Sequence, residues 1–320
     1  MIIDGIQLLA GLALLLAAGE SLVRGAAGLA QGLGLSPLFV GLTLVAFGTS
    51  APELAVNAIA SLRGQGDLSF GNIIGSNLAN IGLVLGTASL VAPLAIQPQV
   101  LRRDLPIMYA ATGFAVLLLV DGWRSLATSQ FDRVDGALLL VGFVVFLSVA
   151  GRDLMDREEG DEDEVHHGRA VAADVGWLLL GAVGLAAGAR MTVGGAEGLA
   201  FALGVPELII GITIVSVGTS LPELVTSIIA VRKGHIDLAV GNVVGSNLFN
   251  LLLVMGVTAC LRPVPTPVGG AADLTALCGV SILLGLLART AGNHITRSNG
   301  VLLLLIYCAY VTARTFGGVG

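Results

Sequence analysis

Of 320 residues, 55% are apolar, only 12% are charged and 45 are glycine, with a mean hydropathy of +0.91. A soluble chain has about a quarter of its residues charged, so most of this surface must face lipid. The net charge of −6 and a pI near 5.1 exclude a nucleic-acid partner, which requires a basic footprint.

The chain starts Met-Ile-Ile-Asp without a basic n-region, and it reads as a first membrane helix rather than a cleaved signal. Apolar windows follow at about 6–23, 38–61, 69–92, 105–120, 136–151, 172–189, 206–231, 238–261, 271–288 and 299–313. They are continuously apolar instead of alternating, which disfavours a membrane β-barrel and leaves helices. Residues 152–169 hold eight acids against three arginines, a local charge of 3 − 8 = −5. Cys260, Cys278 and Cys308 lack Cys-x-x-Cys spacing and predict neither a disulfide framework nor a zinc site.

An internal repeat organises these windows. Residues 41–86 laid on 211–256 agree at 24 of 46 positions. The expected fold is an all-α polytopic membrane protein of ten transmembrane helices, in two inverted-topology five-helix repeats with broken helices 2, 3, 7 and 8 around a central ion site. The expected divisions are a first repeat at 1–151, an acidic linker at 152–170 and a second repeat at 171–320. With the N-terminus outside, nine basic residues fall on cytoplasmic loops and five on outer ones. This predicts an inner-membrane protein with both termini outside and the acidic linker cytoplasmic.

Two acids break the apolar pattern. Glu53 and Glu223 lie deep in their windows at equivalent repeat positions, where an unpaired carboxylate costs several kcal/mol. Thr49, Ser50, Glu53 and Asn57 share one helix face, as do Thr219, Ser220, Glu223 and Ser227. Pro52 and Pro222 each remove an amide donor beside these acids and weaken the helix there. The third span of each half adds Gly71-Asn72-Ile73-Ile74-Gly75-Ser76-Asn77-Leu78-Ala79-Asn80 and Gly241-Asn242-Val243-Val244-Gly245-Ser246-Asn247-Leu248-Phe249-Asn250. Ser76 with Asn80, and Ser246 with Asn250, are i, i+4 neighbours. Asn72 and Asn242 are expected to be structural. Such an all-oxygen set suits a hard cation, and two carboxylates balance one divalent ion.

At these motifs the chain resembles the calcium/cation antiporter superfamily, in its prokaryotic sodium/calcium exchanger branch. The paired Gly-Thr-Ser-x-Pro-Glu and Gly-Ser-Asn-x-x-Asn strings look like that family's two α-repeats. The resemblance implies Ca²⁺ on Glu53 and Glu223 with carbonyls at Thr49 and Thr219, and Na⁺ sites at Ala46, Ser50, Ser76, Ser216, Ser220 and Ser246. It also implies exchange of Ca²⁺ for Na⁺ by alternating access, with no enzymatic activity and no cofactor. The bilayer is the expected surrounding, and no obligatory protein partner is predicted. Some relatives carry Asp where this chain has Asn250, and the neutral residue argues against K⁺ co-transport.

The rival chemistries are a Ca²⁺/H⁺ antiporter, with Glu53 and Glu223 taking up protons, and a Na⁺-coupled exchanger of another divalent cation. Gly64-Gln65-Gly66-Asp67 weakly matches an intramembrane protease string, but no Tyr-Asp partner accompanies it. The acidic segment lacks EF-hand spacing and reads as a solvated charge block.

Overall fold

The computed structural model describes residues 1–120, 129–152, 168–204 and 216–316. The acidic stretch 153–167 and the beginning of the 206–231 window fall outside them. The helices are α1 (Ile2–Gly32), α2 (Pro37–Leu62), α3 (Gly66–Val91), α4 (Leu105–Val120) and α5 (Arg133–Gly151). They continue with α6 (Gly168–Ala202), α7 (Leu221–Arg232), α8 (Ile236–Leu261), α9 (Gly270–Thr290) and α10 (Arg297–Phe316). A short turn of helix, Ser216–Thr219, precedes α7. Seven helices among the described residues are long and apolar enough to cross a membrane: α1, α2, α3, α5, α6, α8 and α9.

Local chemistry sets several of the helix ends. Ser36 caps α2 by accepting from Phe39 N–H at 3.1 Å, and Pro37 follows at the first helical position. Asp132 accepts from the Val134 and Asp135 amides while Asp135 reaches back to the Asp132 amide, a reciprocal capping box for α5. The α2–α3 and α7–α8 turns each need a left-handed residue, supplied by Gly64 (φ 78°) and Gly234 (φ 84°), which stand 170 positions apart. The repeat is thus visible in backbone conformation as well as in sequence.

α1 and α6 contain 31 and 35 residues, about 46 and 52 Å at 1.5 Å per residue. They run antiparallel and pack closely along their length. A Cβ at Gly11 would fall 2.5 Å from the Thr192 amide, and one at Gly25 would fall 2.5 Å from the Asp174 carbonyl. Gly184 and Gly188 meet Ala18 and Leu15 on the same seam. The apolar windows 6–23 and 172–189 cover little more than half of these helices. Their remaining turns are held by this small-residue contact rather than by hydropathy.

The broken-helix expectation needs correction. α2 runs through Pro52 without interruption, and α3 and α8 are also continuous. Each departs from α geometry through a π-helical stretch instead: Gly41–Val45 in α2, Asn80–Leu85 in α3 and Phe249–Val254 in α8. A π turn keeps backbone groups bonded within the helix, whereas unwinding would leave several of them unpaired in an apolar surrounding. Only the seventh segment breaks, at Ser220 (φ −90°, ψ 4°), so Pro222 sits in the first turn of a new helix, where its missing amide costs nothing.

Two short antiparallel ribbons join the halves. β1 (Leu94–Ala95) pairs with β4 (His294–Ile295), and β2 (Gln130–Phe131) pairs with β3 (Val264–Pro265). Ile96 N–H donates to Asn293 O at 2.7 Å, and Thr266 N–H to Ser129 O at 3.0 Å, lengthening each pairing.

Candidate cation site

α2 and α8 cross with their backbones in contact. A Cβ at Gly241 would lie 2.6 Å from the Leu38 carbonyl, and one at Gly41 would lie 2.6 Å from the Leu238 carbonyl. This approach carries the polar face of α2 against the Gly-Ser-Asn segment of the opposite half. Thr49, Ser50, Glu53, Asn57, Ser76, Asn80, Ser220, Glu223, Ser246 and Asn250 are all buried. Burying so many polar groups requires that each find a partner inside.

Some partners are protein atoms. Ser50 Oγ donates to Glu223 Oε1 at 3.2 Å, linking the halves directly at the carboxylates. The Thr49 hydroxyl lies 3.1 Å from Asn242 Oδ1, 3.3 Å from the Ala46 carbonyl and 3.4 Å from Ser246 Oγ. At the repeat-equivalent positions, Thr219 Oγ1 donates to Asn72 Oδ1 at 3.2 Å. Each half's threonine is therefore held by the other half's asparagine. Asn242 is anchored in turn by donating to Ser227 Oγ at 3.1 Å.

Other oxygens meet no hydrogen-bond partner among the described residues. They include both Glu53 carboxylate oxygens, Glu223 Oε2, Ser76 Oγ, Ser220 Oγ, and the amide oxygens of Asn57, Asn80 and Asn250. Unpaired buried oxygens drawn from both repeats, three of them belonging to two carboxylates, are of the kind that suits a desolvated hard cation. The predicted Ser216 side chain lies outside the described residues. Ala46 is buried and could contribute only its carbonyl, the atom already facing Thr49.

Several participants escaped the sequence reading. Asn247 accepts from Asn80 Nδ2 at 3.1 Å and directs its own Nδ2 toward Met108 Sδ at 3.7 Å. Thr226, fully buried with its hydroxyl unpaired, stands three residues after Glu223. That i, i+3 spacing was the available signal. Asn242 and Asn72 serve as structural partners, as expected of them, but what they hold is the site itself. Asn242→Leu should remove the Thr49 hydrogen bond at a cost of about 1 kcal/mol, weakening apparent Ca²⁺ affinity about fivefold in a ⁴⁵Ca²⁺ competition assay.

A helical protein with membrane-spanning segments and a buried cluster of oxygen-bearing side chains drawn from both repeats has the make-up of a secondary ion transporter. A family profile described as sodium/calcium exchanger protein matches residues 5–151 and 174–316. The chain belongs to that family. Inner membrane protein YrbG of Escherichia coli is 37% identical over 314 residues, spanning 95% of this chain and 94% of that one. Sodium/calcium exchanger MaX1 of Methanosarcina acetivorans is 31% identical over 340 residues, spanning 95% and 96%. A solved structure of the sodium-calcium exchanger NCX_Mj superposes with a TM-score of 0.86 at 30% identity, covering 98% of this chain and 99% of that one.

Proposed function

We propose that this protein exchanges Ca²⁺ for Na⁺ across the membrane, with Glu53 and Glu223 as the shared ion ligands. The observation that supports the reading is that Ser50, three residues before Glu53, donates to Glu223 of the other repeat, among buried oxygens that lack partners in the described residues. Left without a cation, the pair would hold two negative charges in a low-dielectric interior, at a cost of several kcal/mol. The site therefore crosses the membrane loaded with either the divalent ion or replacement monovalent ions, and that requirement makes the exchange obligatory. The carbonyls of Thr49 and Thr219, with Ser50, Ser220, Ser76, Ser246, Asn80, Asn250, Ala46 and Ser216, complete the proposed ligand set.

The proposed topology has ten spans in two inverted halves, 1–151 and 171–320, joined by an acidic cytoplasmic linker at 152–170, with both termini outside. The ribbons support it. With ten alternating spans, β1 and β4 fall on one side of the membrane and β2 and β3 on the other, so both pairings are allowed. The proposed location is the inner membrane.

Proteoliposomes test the coupling. An outwardly directed Na⁺ gradient should drive ⁴⁵Ca²⁺ uptake with no pH difference imposed. Uptake that follows a pH gradient and ignores Na⁺ would assign the carboxylates to proton exchange instead.

A further inference from the structure

The last turns of α1, the first turns of α6 and the α7–α8 turn enclose a cleft of about 450 Å³, within the size range of small-molecule sites. Arg24, Gln31, Asp174, Lys233 and His235 line it around Gly28, and none of the proposed ion ligands does. The Asp174 carboxylate packs directly over Gly28, so a side chain there would have to displace it.

The cleft presents both signs of charge. Arg24 Cζ stands 4.8 Å over the Trp177 ring, within cation–π reach. Lys233 Nζ is 3.6 Å from Glu20 Oε2, a loose pair between exposed side chains that contributes little by itself. Two cations, Arg24 and Lys233, and one carboxylate, Asp174, thus line the same cleft, which matches a zwitterion better than a simple anion. An arginine beside a tryptophan is also the side-chain pairing found at headgroup level. Past Trp177, α6 carries the exposed apolar side chains Leu179, Leu180 and Val183, so the cleft lies at the end of a lipid-compatible stretch of that helix.

We infer that this cleft is a binding site for the headgroup of phosphatidylethanolamine, with the phosphate on Arg24 and Lys233 and the ammonium on Asp174. Imidazole N–H of His235 and the Gln31 amide supply further donors to the phosphate. The primary ammonium donates hydrogen bonds to a carboxylate, which the quaternary ammonium of phosphatidylcholine cannot do, and phosphatidylglycerol lacks the cation altogether. The acyl chains would lie along the Leu179, Leu180 and Val183 stretch.

The test is native mass spectrometry of the full-length protein in detergent, with equimolar phosphatidylethanolamine, phosphatidylglycerol and phosphatidylcholine of identical acyl chains. Phosphatidylethanolamine should be retained about tenfold over either competitor, as expected for one added charge-assisted hydrogen bond. Asp174→Asn should erase that preference, Arg24→Gln with Lys233→Gln should reduce retention of all three lipids, and the distant Arg63→Gln should change nothing. Should Asp174→Asn fail to fold, maleimide labelling of Gln31→Cys gives the same decision, with protection expected from phosphatidylethanolamine and not from phosphatidylcholine. Equal retention of the three lipids, preference for phosphatidylglycerol, or an unaltered preference in Asp174→Asn overturns the inference. Equal displacement by soluble glycerophosphoethanolamine also overturns it, making the cleft a solute site. Lipid retention is read without transport, so it stands or falls independently of the exchange reading.

Discussion

Replacing Glu53 or Glu223 with glutamine is expected to abolish Ca²⁺ flux in proteoliposomes. Each substitution leaves a divalent ion facing a single buried carboxylate, and breaking a buried charge match costs about 3–5 kcal/mol, beyond the range of a graded defect. The two variants should differ in detail. Glu223 accepts from Ser50, a bond that a glutamine amide oxygen can keep, whereas neither oxygen of Glu53 meets a partner among the described residues. Both substitutions also relieve carboxylate repulsion in cation-free buffer. Each variant should therefore melt at or above the wild-type temperature without Ca²⁺, yet lose the Ca²⁺-dependent rise in Tm that follows from binding to the folded state. Wild-type flux in either variant, or a preserved Ca²⁺-dependent rise, would contradict the proposed ligand set.

The second large effect concerns packing. Gly241→Val should prevent recovery of monodisperse protein, because the new side chain begins 2.6 Å from the Leu38 carbonyl and 2.9 Å from the Leu42 amide. Backbone atoms cannot rotate away, so α2 must separate from α8, and overpacking of this kind costs about 3 kcal/mol or more. The same displacement would pull Thr49 from Asn242. At the repeat-equivalent position, Gly71→Val should be tolerated, since a Cβ there meets nothing within 4 Å. Size-exclusion profiles and melting temperatures of the two variants would compare the halves directly. Equal tolerance would mean that the α2–α8 contact is less confining than its geometry requires.

Much of the site was legible in the sequence because it rests on residues that are costly in lipid. Glu53, Glu223, Ser76 and Asn80 stand out against apolar neighbours, and duplication at a spacing of 170 makes chance untenable. The membrane class, the internal repeat and the family resemblance followed from the same residues. What stayed hidden depends on which helices meet. The reciprocal bonds Thr49–Asn242 and Thr219–Asn72 require α2 to lie on the Gly-Ser-Asn segment of the other half, information absent from either motif alone. The π-helical stretches were also hidden, since a single i→i+5 turn leaves hydropathy unchanged. Proline was read as a break at both Pro52 and Pro222. The same residue type interrupts nothing in the first case and opens a helix in the second.

The two ribbons have a mechanical consequence. Each fastens a loop from one half to a loop from the other, β1 to β4 and β2 to β3, so the helices between them are riveted at two places. A body fastened in this way cannot readily shear between its halves, and it acts as a stator. α1 and α6 carry no ribbon strand and are joined to each other along a glycine seam. The ribbons therefore leave that antiparallel pair unfastened, and a shift of the two together would not by itself part the α2–α8 contact beside Glu53.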